Sequence, residues 1–429
     1  MTRTLGRSLV VAGLCVLPGI AGAQRSTRLD STALARRLAS VCRPKPEAGR
    51  AQCLRDSLST MARAGRVREA MAALGALTLL DPGIRRDDHV YAHAIGISAE
   101  SSGHSVAEIF TQCNVAFQSG CYHGVIQSYF DRLHEVDSAS VAGLCAPFRS
   151  DESQRWILFQ CVHGMGHGLT MFYAHDLPRG LAGCDLLPNQ WERHSCYGGV
   201  FMENIVNATM PDHPTHALGQ HSMEDMHADA VHARASPAST NGAGGEPFRA
   251  LNPADLLYPC SVMAERYVRA CYEMQTSVML HLNGGRFDDA ARNCERAPEA
   301  MRTLCHQSLG RDVSSRTGQN YAESIRLCSL ATERFRPWCY VGLVKNFVDL
   351  NGRFTDGLRF CKVVPREDDK LKCYEAVGEE IAALVPESVN RRIACGGTDA
   401  PYAEACLYGA RMLASPPETL RAINAAAAR

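Results

Sequence analysis

Two interleaved series of cysteines constrain the fold of this chain more than any other feature of its sequence. In the second half of the chain, each series recurs every 33 or 34 residues, and the two series keep an offset of 11 or 12 residues. The first series is Cys271, Cys305, Cys339, Cys373 and Cys406, and the second series is Cys260, Cys294, Cys328, Cys361 and Cys395. A period of this length indicates an array of stacked helical hairpins.

The same phase extends towards the N-terminus. Members of both series found there are Cys42, Cys53, Cys113, Cys121, Cys145, Cys161, Cys184 and Cys196. The chain has 19 cysteines in total, and loss of a leader segment that carries Cys15 would leave an even number. An even number of cysteines in an exported protein predicts a disulfide framework.

Internal comparison of the repeats favours one pairing. Bonding each second-series cysteine to the next first-series cysteine uses all eighteen cysteines. Pairing cysteines that lie 22 to 24 residues apart within a repeat leaves four of them unpaired. One repeat lacks both members together, with Ala76 and Tyr91 at the two positions. We therefore predict nine short-loop disulfides, each contributing about 2–3 kcal/mol in the loop-entropy description. The predicted pairs are Cys42–Cys53, Cys113–Cys121, Cys145–Cys161, Cys184–Cys196, Cys260–Cys271, Cys294–Cys305, Cys328–Cys339, Cys361–Cys373 and Cys395–Cys406.

The N-terminal segment predicts export. Arg3 and Arg7 precede an apolar run of about a dozen residues, and Ala21-Gly22-Ala23 offers small residues for cleavage, which is typical of a signal peptide over 1–23. We expect a secreted or periplasmic protein. The formal net charge is +0, with no basic run that would indicate nucleic-acid binding. No later stretch has eighteen consecutive apolar residues, so we expect no membrane span.

Local signals fit helical hairpins. In the stretch RPWCYVGLVKNFVDLNGRFTDGLRFCKVVP, Pro337 precedes one helical run and Gly352 follows it, while Pro365 closes the next run. The third residue after a first-series cysteine is small in most repeats, which would let neighbouring helices approach closely; Met274 is the exception. The small residues are Gly124, Gly164, Gly199, Ser308, Gly342, Ala376 and Gly409.

This pattern resembles tetratricopeptide repeats and, more loosely, the cysteine-stapled Sel1-like repeats. Trp338, Gly342 and Pro365 fall near the aromatic, small and terminal-proline positions of the tetratricopeptide motif. The resemblance concerns architecture and implies no catalytic residue. Together with the cysteine period, it predicts an all-α, right-handed α-α solenoid of about ten hairpins of ~34 residues.

One insertion divides the array. Cys196 and Cys260 are 64 residues apart, where the other repeats have 22 to 24. We predict N-terminal repeats over 24–208, an insertion over 209–255, C-terminal repeats over 256–414 and a tail over 415–429. The insertion ends in an Ala/Ser/Gly/Pro-rich linker, and we expect a weakly ordered flap. Its histidines are His213, His216, His221, His227 and His232.

A row of histidines is the main functional signal. The stretch CVHGMGHGL places His163 and His167 one helical turn apart. His123 holds the position of His163 one repeat earlier, and alignment of Tyr91 with the missing cysteine puts His93 there one repeat before that. His89 joins these four histidines as a candidate metal ligand, and Gln127 joins His123, His163 and His167 as a candidate for binding a ligand in the groove. Imidazole nitrogen suits zinc, copper or iron.

Three explanations of the row remain open: a transition-metal site, a polar ligand-binding groove, and packing inherited through repeat duplication. Our leading hypothesis is an exported scaffold or binding protein whose concave face holds a protein or small ligand in the histidine-lined half. A second is a metal-dependent enzyme with His93, His123, His163 and His167 as ligands and Glu203 as acid/base. Asp176 is another candidate carboxylate. A third hypothesis is a structural envelope protein.

Overall fold

A computed structural model describes residues 30–209, 248–350 and 352–428, and over these ranges the chain is helical without strands. The predicted signal peptide and the greater part of the predicted insertion lie outside the described residues. The last residues of the insertion that are described pack onto the fold: the Phe248 ring stacks on Tyr258 with 6.0 Å between centroids. The Tyr258 hydroxyl also donates a hydrogen bond of 2.6 Å to the Arg249 carbonyl.

The helices are of two kinds, according to whether they lie at the first-series or the second-series position of a hairpin. Helices of the first kind are α2 (Glu47–Arg63), α5 (Asp88–Ala99), α7 (Gly120–Asp131), α9 (Arg155–Phe172), α11 (Gln190–Thr209), α12 (Glu265–Tyr272), α13 (Gln275–Leu282), α15 (Glu299–Thr317), α17 (Arg336–Asp349), α19 (Glu367–Leu384) and α21 (Tyr402–Gly409). The other helices are α1 (Ser31–Cys42), α3 (Val67–Leu80), α4 (Pro82–Arg86), α6 (Val106–Phe110), α8 (Ser138–Leu144), α10 (Leu177–Cys184), α14 (Phe287–Glu295), α16 (Tyr321–Cys328), α18 (Phe354–Val363), α20 (Ser388–Cys395) and α22 (Glu418–Ala427).

Nine disulfides join the two kinds of helix or the turns beside them. The bonds link Cys42–Cys53, Cys113–Cys121, Cys145–Cys161, Cys184–Cys196, Cys260–Cys271, Cys294–Cys305, Cys328–Cys339, Cys361–Cys373 and Cys395–Cys406. These are the pairs that the short-loop spacing predicts. Each bond spans 8 to 16 residues of sequence, so it fixes where one helix meets the next.

Helices of the first kind pack against one another in chain order. Contacts run from α2 to α5 and on through α7, α9, α11, α12 and α13, α15, α17 and α19 to α21. Helix α19 also contacts α9, so helices distant in sequence meet. The helices of the described part are all too short or too polar to cross a membrane.

Glycines bring some of these helices into backbone contact. A Cβ on Gly342 of α17 would lie 1.8 Å from the Gln307 carbonyl oxygen of α15, and a Cβ on Gly310 of α15 would lie 1.9 Å from the Cys339 carbonyl oxygen. The same reciprocal contact joins α5 to α7, α9 to α11, and α19 to α21. We call these four the glycine-contact pairs. Only glycine leaves room for so close an approach.

The repeat that lacks a small residue departs from this pattern. Met274 stands at the third position after Cys271, and there the helix is interrupted between α12 and α13. Met274 has φ −123° and ψ −5°, outside the helical region. In place of a glycine contact, the Thr276 hydroxyl lies 2.7 Å from the Ser308 hydroxyl of α15. A side chain too large for the contact is therefore accompanied by a broken helix and a polar interface.

Tryptic mapping of the non-reduced protein should recover the short-loop disulfides. Cleavage after Arg266 and Arg269 separates Cys260 from Cys271, so a bonded pair appears as two linked peptides that part on reduction. A linkage of Cys271 to Cys294 would contradict the structure, because the helices that these bonds place side by side would then be different ones.

Gly342→Ala should destabilise the fold by about 2–3 kcal/mol, because the new methyl group must push α17 away from α15. The measurement is the midpoint of thermal and urea unfolding. Gly143→Ala in α8 is the control, since no atom lies within 4 Å of its Cβ position, and alanine favours a helix over glycine by up to about 1 kcal/mol. Equal midpoints for the two variants would show that the close approach is not maintained in solution.

Candidate functional site

Five imidazoles converge on the face formed by α5, α7 and α9. Helix α5 contributes His89 and His93, α7 contributes His123, and α9 contributes His163 and His167. We call these five residues the histidine cluster. The rings of His93 and His167 are buried, with 4% and 6% of their surface exposed, whereas the other three are half-buried. The structure therefore brings together the five histidines that the sequence singles out.

The glycine contacts determine where these histidines stand. A Cβ on Gly124, the residue after His123, would lie 2.1 Å from the His93 carbonyl oxygen, so α5 and α7 touch at the histidine-bearing turns. A Cβ on Gly199 of α11 would similarly lie 2.0 Å from the His163 carbonyl oxygen. Between α7 and α9 the contact is made by side chains instead: Ile126 lies 3.2 Å from the Cβ position of Gly164, and Phe130 lies 2.4 Å from that of Gly168.

Three of the imidazoles form a compact group. One ligand nitrogen from each of His89, His93 and His123 lies within 4.8 Å of the other two. The ring centroids of His89 and His123 are 5.8 Å apart, and those of His93 and His123 are 6.3 Å apart. We call this group the histidine trio. In the described part of the chain it is the one set of three metal-ligating side chains at this spacing.

The other two imidazoles face each other across one turn of α9. Their Nε2 atoms are 3.4 Å apart, and the His167 ring centroid lies 4.7 Å from that of His123. On its far side, His167 donates from Nδ1 to the Glu203 carboxylate of α11 at 2.8 Å. Glu203 is buried, with 6% of its surface exposed. We call His163 and His167 the histidine pair.

Hydrogen bonds on the outer nitrogens decide which nitrogens face inward as acceptors. His89 donates from Nδ1 to the Phe117 carbonyl oxygen at 2.9 Å, and His167 donates to Glu203. His163 bonds to the Ser195 backbone, and its Nδ1 points towards α11, 3.6 Å from the Cβ position of Gly198. A neutral imidazole with a proton on Nδ1 has its lone pair on Nε2. Three lone pairs are thus held towards the cluster.

The residues that anchor His89 have unusual backbone angles. Phe117, Gln118 and Ser119 precede α7, and their φ values are 61°, 54° and 61°. A non-glycine residue in this left-handed region costs about 1–2 kcal/mol. The run turns the chain into α7 while the Phe117 carbonyl accepts the His89 hydrogen bond. Strain of this kind concentrates at functional sites.

Burial keeps the central rings neutral. Burial lowers the pKa of His123 well below its usual value, and the neighbouring histidines, His167 foremost, lower it further. Burial also lowers the pKa of His163 to about 3, with a further lowering by His167, while the hydrogen bond to Ser195 acts in the opposite direction. Both rings are therefore neutral at pH 7, and the neutral imidazole is the form that binds metal ions.

The structure separates the remaining candidates. Gln127 is buried one turn after His123, with 4% of its surface exposed, and its Oε1 has no hydrogen-bond partner among the described residues. Glu203 contacts the cluster through His167. Asp176 caps α10 by accepting a bond of 3.1 Å from the Arg179 amide, so its role there is structural. The histidines of the insertion lie outside the described residues.

Sequence reasoning missed the groups that orient the imidazoles. The Phe117 carbonyl and the Ser195 backbone carry no side-chain signal, so the sequence alone offers no way to find them. The glycines Gly96 and Gly166, which complete the reciprocal contacts, stand five residues after Tyr91 and Cys161. That spacing is visible in the sequence once the backbone contact is known.

Comparison with known proteins does not assign the chain to a family, since no protein family, curated protein or solved structure matches it. The interpretation of the histidine cluster therefore depends on its geometry and chemistry.

The stability of the metal-free protein should fall as the pH falls from 7 towards 4. An unfolded chain protonates its histidines near pH 6.5, whereas folded His163 resists protonation down to about pH 3, so the unfolded state binds more protons in this window. His163→Asn keeps a donor near the position of Nδ1 but removes the titrating ring, and its melting temperature should fall less over the same range. Replacement of the exposed His104 by Asn is the control. Parallel pH profiles for the wild type and His163→Asn would contradict this account.

Proposed function

We propose that this protein is an extracytoplasmic helical-repeat protein that binds a transition-metal ion at the histidine cluster. The observation that carries the proposal is the orientation of three imidazoles. The outer nitrogens of His89, His163 and His167 are anchored on Phe117, Ser195 and Glu203, which leaves their Nε2 lone pairs facing the cluster. We further propose that the hairpins form a right-handed solenoid, as the period of the cysteines and the chain-order packing of the helices favour.

The contact between His163 and His167 supports a cation between them. With both outer nitrogens donating, the two Nε2 lone pairs oppose each other at 3.4 Å, which is unfavourable unless a positive charge lies between. That charge is either a proton or a metal ion. Two nitrogens bound to one tetrahedral ion at 2.0–2.1 Å stand about 3.3 Å apart, so the observed spacing suits a metal ion without rearrangement.

The donor set favours a borderline or soft ion. Imidazole nitrogens bind zinc, copper, nickel and iron, whereas magnesium and calcium prefer oxygen donors. Glu203 holds His167 by its Nδ1, an arrangement that elsewhere raises the basicity and fixes the tautomer of a metal-bound histidine. This contact favours an orienting role for Glu203 over acid–base catalysis. We therefore prefer a binding or scaffold function to the enzyme hypothesis.

The compartment and partner follow from the same features. Nine disulfides are typical of proteins that fold in an oxidising environment outside the cytoplasm. Three histidines around an ion leave at least one coordination position for an external ligand. We propose that a small ligand or a side chain of a partner protein completes the site from the half-exposed side of the cluster.

Metal analysis of protein made without a histidine tag tests the proposal. After removal of metal with a chelator and reloading with zinc, copper or nickel, the wild type should retain metal through gel filtration, and its melting temperature should rise because only the folded state offers the site. His123→Asn removes the central ring and should lose most of this metal. The readouts are element-resolved mass spectrometry and thermal unfolding.

Two control variants define where the metal binds. His306→Asn changes a buried histidine outside the cluster, which stacks on Phe335 at 4.8 Å and bonds through Nδ1 to the Arg302 carbonyl, so metal content should not change. A second control replaces all five histidines of the insertion by Asn, and it too should keep its metal. The proposal is wrong if the wild type holds no metal, or if the insertion variant loses all of it. The insertion histidines are His213, His216, His221, His227 and His232.

A further inference from the structure

The five imidazoles fall into two groups that belong to different glycine-contact pairs. The histidine trio lies on α5 and α7, which touch through Gly96 and Gly124. The histidine pair lies on α9, which touches α11 through Gly166 and Gly199. Within each glycine-contact pair the backbones are in direct contact, so the ligands of each group are held at fixed distances from one another.

The distances do not allow one ion to bind all five rings. Nitrogens bound to one ion at 2.0–2.1 Å lie within about 4.2 Å of each other. The trio meets this condition with a small inward movement from 4.8 Å, and the pair meets it at 3.4 Å. Over the described residues, His163 and His167 do not join the trio at this spacing. His163 and His167 therefore remain free to bind a second ion when the histidine trio holds the first.

We infer that the histidine cluster binds two transition-metal ions, one in the histidine trio on α5 and α7 and one between His163 and His167 on α9. This inference rests on the proposed metal-binding function and adds the number of ions, the ligands of each and the order of filling. His123 stands between the two ions, with its ring centroid 4.7 Å from that of His167 and 5.8 Å from that of His89.

The trio fills first. It offers three protein ligands, whereas the pair offers two and needs external ligands to complete its coordination. Glu203 lends the second site negative charge through its contact with His167, which partly offsets this difference in ligand number. An ion already bound in the trio adds repulsion, so the second ion binds more weakly.

Glu203 gives the second site a feature that the trio lacks. Its carboxylate holds the His167 Nδ1 at 2.8 Å, whereas the His89 Nδ1 bonds to the neutral Phe117 carbonyl at 2.9 Å. A carboxylate partner strengthens a metal-bound imidazole more than a neutral carbonyl does, and loss of such a partner typically weakens metal binding 10- to 100-fold. Glu203→Gln should therefore weaken the second site alone.

Metal titration of the full-length protein tests the inference. The five-histidine insertion variant described above serves as the background, and zinc and cobalt serve as the probes. We expect two ions per chain in two steps. His89→Asn should abolish the tight step and His167→Asn the weak step, each leaving one ion, because asparagine keeps the outer hydrogen bond but lacks Nε2. Glu203→Gln should weaken the second step about 10- to 100-fold and leave the first unchanged.

The outcomes separate this inference from the proposed function. No bound ion in the background protein overturns both. A single ion that is lost in both His89→Asn and His167→Asn supports the metal-binding function but overturns the two-site division. Unfolding melts of each metal-free variant establish that it folds, and His93→Asn replaces His89→Asn as the trio variant if the latter does not. Copper loading gives an independent readout, since two Cu²⁺ ions this close broaden each other's electron paramagnetic resonance signal.

Discussion

The close contact between a glycine of one helix and a carbonyl of the next is the constraint on which the rest of this structure depends. At four places in the described ranges the contact is reciprocal, so two helices share one line of backbone contact rather than a layer of side chains. The disulfides fix the ends of these helices relative to their neighbours. Residues next to the contact are consequently placed side by side whatever their side chains are. His93 and His123 meet for this reason, because His93 supplies the carbonyl and His123 precedes the glycine.

Packing five imidazoles together is costly unless their polar atoms are satisfied, since a buried polar group without a partner loses its hydration. The anchors on Phe117, Ser195 and Glu203 offset part of this cost. Because the anchored nitrogens carry the protons, the lone pairs of these rings lie on the nitrogens that face the cluster, where they repel one another. The lowered pKa of His123 and of His163 keeps these two rings neutral near pH 7, so their protonation does not relieve the repulsion between the lone pairs. A metal ion between the lone pairs, as proposed above, would relieve it.

Cysteine spacing predicts the disulfides of this chain because a repeat supplies its own internal control: the pairing must use every cysteine in every repeat. It also predicts the row of histidines, because equivalent positions of adjacent helices face the same side. The alternation of interfaces with backbone contact and interfaces with side-chain contact could not be predicted this way, since a fixed period treats all repeats as equivalent. Gly166 and Gly164 differ in sequence position by two residues, yet the first meets the Cys196 carbonyl and the second meets the Ile126 side chain. Residues two apart lie on opposite sides of a helix, so these glycines face different neighbours. Which of the two neighbours comes into backbone contact is a property of two helices together.

The later repeats show that the backbone arrangement and the chemistry are separable. The carbonyl oxygen that packs against a glycine of the next helix belongs to His93 and His163 in the first half of the chain, and to Gln307 and Glu375 in the second half. In the second half the same face carries ionic groups: Lys345 forms an ion pair with Glu379, and burial raises the pKa of Asp349 to about 6. Because the contact uses only glycine and backbone atoms, the side chain beside it can be imidazole, amide or carboxylate without loss of packing. A function that depends on the histidines can therefore be confined to one part of the chain, while helices joined by the same glycine contact recur beyond it.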